Sequence, residues 1–560
     1  MGRTGKGMPR ITGGTAFVPL VVASLIAAAL AACSGPSPAT PSGVPATSTT
    51  LVVTAVRTPS GQTAFGGTLR LASREAPAHF DVHFDASPAL STWGPGIVYS
   101  RLMRVTSGHD VTLPSLAVEC ELCRRWTMED ERTFLFELRE EVRWGVEGVV
   151  QGRALDANDI VFSYGRQRGA DAPNRGLLAA VDAVEAVGLG AVRITLAVPD
   201  ADVLLGLADA RSKVVAPEAV AVHGDLREGP VIGTGPWRLI NADAFAFRFE
   251  RNDGYFEEGL PYAAGLEISV IPDEANRDAA FRVGLVDVMD MEPQAWLDFQ
   301  AARPNAPMLA VQEQGVGMEL ALNASREPFD DPALRRAVFQ AHDPWRAVGD
   351  MWLGMAYVGP GFPVAGASWL LTREELQSYF NRPGLARAAV EAAGGAARTP
   401  VTIRVGNYGQ AYIGHAERLG EELRAVGLDV DVELVSRRLF GEVVWLGGDY
   451  QVLLGPTPPV TTPNAYLLNV LHSGGVWNRS GVADAEMDRL IEAQAGEYDP
   501  ARRRALVLDI QRRTLELGVR YMPATRVSVW TWQPWISEFH PNFAGFEYSH
   551  WARVRITGQP

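Results

Sequence analysis

The chain has 560 residues, 47% of them hydrophobic and 21% charged, and a formal charge of −14. That length exceeds what a single hydrophobic core serves, so more than one compact unit is expected. An acidic balance with no basic stripe speaks against nucleic acid as a partner.

Residues 1–32 read as an export signal. Arg3, Lys6 and Arg10 are positive, no acid appears, and an apolar run from Phe17 to Ala32 ends in Leu30-Ala31-Ala32-Cys33. Small residues before a cut are what a signal peptidase accepts. A cysteine directly after them resembles the lipobox of bacterial lipoproteins, which implies acylation of the Cys33 thiol. Two or three acyl chains anchor a protein stably where one does not. Residues 33–65 are rich in Ser, Pro, Thr, Ala and Gly, with no charge until Arg57. Such a segment cannot bury enough apolar surface to fold and reads as a disordered tether. Nothing after residue 66 is long and apolar enough to span a bilayer. The body is therefore expected outside the cytoplasm, held at the bacterial membrane by its N-terminal lipid alone.

Gly66-Gly67 opens the body, and Thr68 to Ala72 reads as a short strand. Cys120 and Cys123 form a C-x-x-C. This is a redox pair, half a zinc site or a disulfide by spacing. No second cysteine pair completes a zinc site, and outside the cytoplasm a small structural disulfide is favoured. Thr133 to Leu138 alternates, with Phe134, Phe136 and Leu138 on one face, the pattern of a half-buried strand. Asp156 caps a helix whose buried stripe is Ile160, Val161 and Tyr164. Pro230-Val231-Ile232-Gly233-Thr234-Gly235-Pro236-Trp237 is a glycine–proline crossover between two units, read either as a hinge or as a tight turn in a core. It lacks the lysine of a phosphate loop. Asp331 and Pro332 start another helix with Leu334, Ala337, Val338 and Ala341 on one face. Val401 to Val405, a helix carrying Leu419 and Leu423 that stops at Gly427, and the alternating Leu428 to Leu434 make a strand–helix–strand unit. Ligands of such units sit beyond the carboxyl ends of strands, here the loop from Gly406 to Gln410. Asp499 and Pro500 start a last helix, ending at Gly518.

Four ordered blocks carry a resemblance. They are "LPSLAVE…RRWTMEDERTFLFELREEVRW…GRALDANDIVFSY", "VIGTGPWRLI" with "FERNDGYFEEGLPY", "MELALNASREPFDDPALRRAVFQAHD" and "HAERLGEELRAVGLDVDVELV". From about Gly66 to the C-terminus the chain resembles the family 5 extracellular solute-binding proteins, the peptide- and nickel-binding receptors of ABC importers. The resemblance implies a two-lobed α/β periplasmic-binding-protein-like fold (type II, cluster C) with an extra subdomain in the first lobe. Lobe I would comprise 66–106, 231–310 and 524–560, its extra subdomain 107–230, and lobe II 311–523. It implies a monomer that binds a small-molecule or peptide ligand, works with permease and ATPase subunits, and needs no cofactor.

No G-x-S-x-G or H-E-x-x-H occurs, and the nine histidines are scattered. The chain therefore does not read as an enzyme. An extracytoplasmic hydrolase or a sensory receptor on the same scaffold is the alternative, since fold alone does not decide function. Receptor clefts favour aromatic walls with a few orienting polar groups. By the family's cleft-facing loops, one wall is expected from His79, Phe80 and Trp93. The facing wall is expected from Asn407, Tyr408, Gly455, Thr457, Trp477 and Asn478, with Arg526 and Trp530 near the hinge. Peptide binders of this family hold the peptide amine with an aspartate near "Gly-Trp…Asp". Here Leu453 to Val460 has neither residue, while Arg526 suits a carboxylate, phosphate or sulfonate. The expectation is a solute with an anionic or strongly polar end rather than a free peptide amine.

Overall fold

A computed structural model describes residues 66–312, 317–363, 369–394, 400–458, 460 and 462–559. The export signal, Cys33 and the tether lie outside the described residues.

The first sheet has four strands in the order Thr68–Ser73, Gly265–Val270, Ala246–Arg251 and Trp237–Ala242. The first pair is parallel and the others antiparallel. Leu69 and Leu71, Phe247 and Phe249, and Leu266 and Ile268 are each two residues apart, so all six point to one face and are buried there with Trp237.

A second, antiparallel sheet runs Cys123–Asp130, Thr133–Leu138, Ala191–Leu196, Val181–Ala186. Phe134, Phe136 and Leu138 face its core, and helix Ala157–Gln167 covers it with Ile160 and Tyr164. Asp156 caps that helix, and Asp159 returns the bond to the cap's own N–H. Val161 of the expected stripe is only half-buried, and Ala157 and Ser163 are the buried neighbours instead. Cys123 opens the first strand of this sheet and Cys120 lies just before it, with their sulfurs at bonding distance, 1.97 Å.

The glycines of the 230–237 crossover answer to packing rather than to bending. A Cβ on Gly233 would stand 2.1 Å from the Val98 carbonyl oxygen, and one on Gly235 2.6 Å from it. Gly235 donates its N–H to that same oxygen at 2.9 Å. The stretch presses flat against residues 98–99 between two cores, and Trp237 is buried in one of them.

The eight-stranded sheet is built on one 13-residue strand, Arg520–Trp532. Its first half pairs with Met318–Leu322 and Ala356–Gly359, and its second half with Met308–Gln312 and Val288–Met291. The partner change falls between Arg526, opposite Ala356, and Val527, opposite Gln312. Pro523 has no N–H to give to a ladder, and it sits where the register against Met318–Leu322 shifts. Val401–Gly406 and Val430–Val435 pair in parallel at the far edge, joined by helix Gln410–Ala425. The alternation expected from Leu428 to Leu434 breaks at its end: Leu434 is exposed and Val435 buried. Val435 turns inward because it packs with Phe440 and Val444 of the next segment.

Candidate functional site

A cavity of about 1130 Å³ opens beside the middle of strand Arg520–Trp532, which contributes Arg526, Ser528 and Trp530 to its wall. Elements before residue 300 supply most of the rest, and residues 460–477 supply the facing side.

One end is aromatic. Trp530 lies parallel to Trp93, with centroids 6.1 Å apart and 4° between planes, and stacks on Phe543 at 4.4 Å and 15°. Trp551 meets Trp93 edge-on at 5.6 Å. Offset-parallel and edge-to-face arrangements are those the ring quadrupole favours, so these rings brace one another. His550 packs in the same group against Phe539, Phe543 and Trp551. Burial holds its pKa down at about 3, so it is a neutral imidazole.

The opposite end is polar and crosses from one side of the cavity to the other. Asp202 carries Arg503 at 2.6 Å, with both side chains at most 6% exposed, and accepts the Asn464 N–H at 2.5 Å. The Asn464 side-chain amide donates to Asp200 Oδ1 at 2.6 Å, and Gln494 donates to Asn464 Oδ1 at 2.7 Å. The Ala201 N–H bonds the Ala495 carbonyl at 2.7 Å, and Tyr498 ties Asp200 N–H to the Glu131 carbonyl. Burial, and then the charge of Asp202, raise the pKa of Asp200.

Most other charges on the wall are spoken for. Arg74 pairs with Asp290, Arg211 with Asp209, and Glu547 with Arg101. Arg526 pairs with Glu292. Among the described residues no group of His, Cys, Asp and Glu is placed to hold a metal ion.

Of the residues expected at a cleft, Trp93, Trp477, Arg526 and Trp530 line this cavity together. The others do not. His79 accepts the Asp81 N–H through Nδ1, and Phe80 packs against the first-sheet core. Neighbouring His83 is fully buried against the Lys213 carbonyl. Tyr408 lies edge-on to Phe440 under the Arg437 guanidinium, and Asn407 is exposed with its carbonyl accepting from Arg437. Gly455 is a packing position: a Cβ there would meet the Phe440 ring at 2.0 Å. Thr457 is buried, its N–H on the Gly317 carbonyl. Asn478 braces its own loop by donating to the carbonyls of His472 and Val482. The strand-end rule points to the Gly406–Gln410 loop, but Phe440 and Arg437 cover that end, so the open space lies elsewhere.

The sequence reading passed over Asp200, Asp202, Asn464 and the Phe543–Trp551 stretch. A faint sign existed in Pro199-Asp200-Ala201-Asp202, where Asp200 Oδ1 accepts the Asp202 N–H at 3.0 Å in a turn of the kind acids form.

Comparison with known proteins adds the following. A model of the bacterial extracellular solute-binding proteins, family 5 (middle part), matches residues 114–478. The chain is 28% identical over 351 residues to a probable di/tripeptide-binding protein 5 of Pseudomonas aeruginosa, covering 58% of this chain and 64% of that one. It is 25% identical over 367 residues to the dipeptide-binding protein of Escherichia coli, covering 60% and 65%. The match thus spans somewhat under two thirds of each of these relatives. In structure it resembles an ABC transporter substrate-binding protein of Listeria monocytogenes, with a TM-score of 0.73 at 18% identity, covering 88% of this chain and all of that one.

Proposed function

The chain belongs to the bacterial extracellular solute-binding proteins, family 5, and from that premise we propose that it captures a small polar or peptide-like solute in the cavity described and delivers it to the permease and ATPase subunits of an ABC importer. The observation that carries this reading is the cavity itself. It is walled from both sides of strand Arg520–Trp532, aromatic at one end and polar at the other, and large enough for a drug-sized solute. The two relatives are named for dipeptides and di/tripeptides, so peptide-like solutes are the first class to try. The reading takes the receptor to act as a monomer.

Trp93, Trp477 and Trp530 form the stacking surfaces in this reading, and Arg526 a polar contact on the central strand. Its guanidinium already holds Glu292, so an anionic ligand group would share that cation rather than neutralise it alone. A thermal screen finds the ligand, since a molecule that binds only the folded state raises its stability. Titration of that ligand against Trp93→Ala, Trp477→Ala and Arg526→Ala should show losses of about 1–3 kcal/mol each, the range of binding hot spots. Three folded variants that bind like the parent would place the ligand elsewhere.

The reading also includes the lipid anchor at Cys33, which keeps the receptor at the membrane; no described helix is long and apolar enough to cross it. Cys33→Ser should move the protein from the membrane to the soluble fraction in cells with normal lipoprotein processing. Retention of that variant on membranes would end the claim.

A further inference from the structure

We infer that Asp200 is the cavity's receptor for a positively charged group of the solute, an ammonium or guanidinium. The inference rests on the reading that the cavity holds the solute. It adds both a residue and a charge class.

The cavity wall carries several carboxylates, and their partners separate them. Asp202 is neutralised by Arg503 at 2.6 Å. Asp290 is neutralised by Arg74 at 2.5 Å. Glu547 is neutralised by Arg101 at 3.0 Å and accepts further backbone N–H groups. Asp200 and Glu75 have no ion-pair partner among the described residues, and of the two Glu75 is exposed with no hydrogen bond on its carboxylate, whereas the Asp200 carboxylate is held. Its Oδ1 is fixed by the Asn464 amide at 2.6 Å and the Asp202 N–H at 3.0 Å. Its Oδ2 accepts from no described residue.

Asp200 is half-buried rather than exposed. A carboxylate in such a place costs free energy unless a cation meets it. Here Arg503 offsets that cost only in part, since it pairs with Asp202, whose own charge adds to it. The arrangement is a fixed, oriented and only partly compensated acceptor on the wall of a ligand-sized space. A charged donor completes it with short, charge-assisted hydrogen bonds.

Position adds a second consequence. The Asn464 amide that orients Asp200 belongs to the far wall, 264 residues along the chain. A cation on Oδ2 therefore binds a group that already joins the two walls, and strengthens the seam as it binds.

The test uses the purified protein with four kinds of probe in titration calorimetry: alanyl-alanine and trialanine, their N-acetyl forms, cadaverine (a cation with no peptide) and glutarate (an anion with no cation). Each is run against the parent and Asp200→Asn, which keeps the Asn464 bond. The expected result is that a free-amine probe binds the parent about 30-fold or more tighter than its acetylated form. Asp200→Asn should abolish that difference while the acetylated form binds both proteins alike. Cadaverine binding that depends on Asp200, without peptide binding, would keep the assignment and remove the peptide-like solute from the proposed function. Peptides that bind equally with or without acetylation would keep the proposed function and overturn Asp200. A preference for the free amine that survives in Asp200→Asn overturns it as well, as does a protein that binds glutarate alone or no cation-bearing probe.

Discussion

Arg101→Met is expected to lower the stability of the folded body by about 3–5 kcal/mol, the cost of leaving buried charges without their partner. The Arg101 side chain is fully buried, with Nε on Glu121 at 2.9 Å and Nη2 on Glu547 at 3.0 Å. Nη1 donates to the Ala208 carbonyl at 2.9 Å, and the guanidinium lies 4.4 Å from the Tyr548 ring centroid. Burial pushes Glu547 up, but Arg101's charge and hydrogen bond, with the Ser549 N–H, outweigh it and hold the carboxyl at about 2. Burial instead keeps Glu121 above the ordinary carboxylate value despite the same guanidinium. Methionine fills similar space, so the loss is electrostatic rather than a cavity.

Lys213 sharpens the prediction. Its ammonium nitrogen is fully buried, 3.5 Å from the Tyr548 centroid and without a hydrogen-bond partner. Burial and then repulsion by Arg101 hold its pKa far below normal, so a positive charge there is costly. Removing Arg101 removes the repulsion, makes a charge on Lys213 less costly and so recovers part of the loss. Arg101→Met with Lys213→Met should therefore cost more than the two single changes added. Denaturant unfolding followed by tryptophan fluorescence measures all three. A change below about 1 kcal/mol for Arg101→Met would mean that the cluster does not hold this region together.

Acid is expected to produce the second large effect. His83, His415 and His550 are buried, and burial depresses each: His83 to about 4, His550 to about 3, and His415 well below 6.5. His415 also feels His342, whose Nε2 is 2.9 Å from its own Nε2 and whose Nδ1 bonds Glu422 at 2.5 Å. That geometry admits one proton between the two nitrogens, and a second there would set two N–H groups against each other. In the unfolded chain these histidines take protons as the pH falls through about 6.5, while the folded protein refuses them. The stability they confer is thus present above pH 6.5 and drains away below it. Each contributes about 1.4 kcal/mol per pH unit, or roughly 4 for the three together, until the folded values are reached.

Glu121, Glu319 and Asp200 act in the opposite sense. Burial raises them, so the fold holds protons that the unfolded chain releases, and their contribution grows as the pH falls toward 4.5. They soften the loss at its lower end. The unfolding midpoint should therefore drop steeply between pH 6.5 and 4.5. His550→Phe, in a group of aromatic rings and with neither ring nitrogen bonded, should keep its stability at pH 7 and lose about a third of the slope. A midpoint that stays level across that range would show that these side chains reach protons without unfolding.

Local structure was legible in the residues. Asp156 with Asp159, Asp331 with Pro332, and Asp499 with Gly518 mark helix ends because capping is settled within four residues of chain. Phe134, Phe136 and Leu138 declare a one-sided strand because side chains alternate with a period of two. The same kind of signal misread Leu434, since only the arrival of Phe440 and Val444 decides which of the last two residues turns inward.

The tertiary structure alone decided the composition of the cavity. Asp202 and Arg503 are 301 residues apart, and Asp200 and Asn464 are 264. No periodicity connects residues at such distances. They meet because one strand, Arg520–Trp532, pairs with different partners along its two halves and sets the walls on either side of the space. The glycines show the same division. Their identity announced tight backbone at Gly233 and Gly455, but only packing revealed that one lies against the Val98 carbonyl and the other under the Phe440 ring. A residue's conformational range is written in its own chemistry, whereas the neighbour it must admit is chosen by the fold.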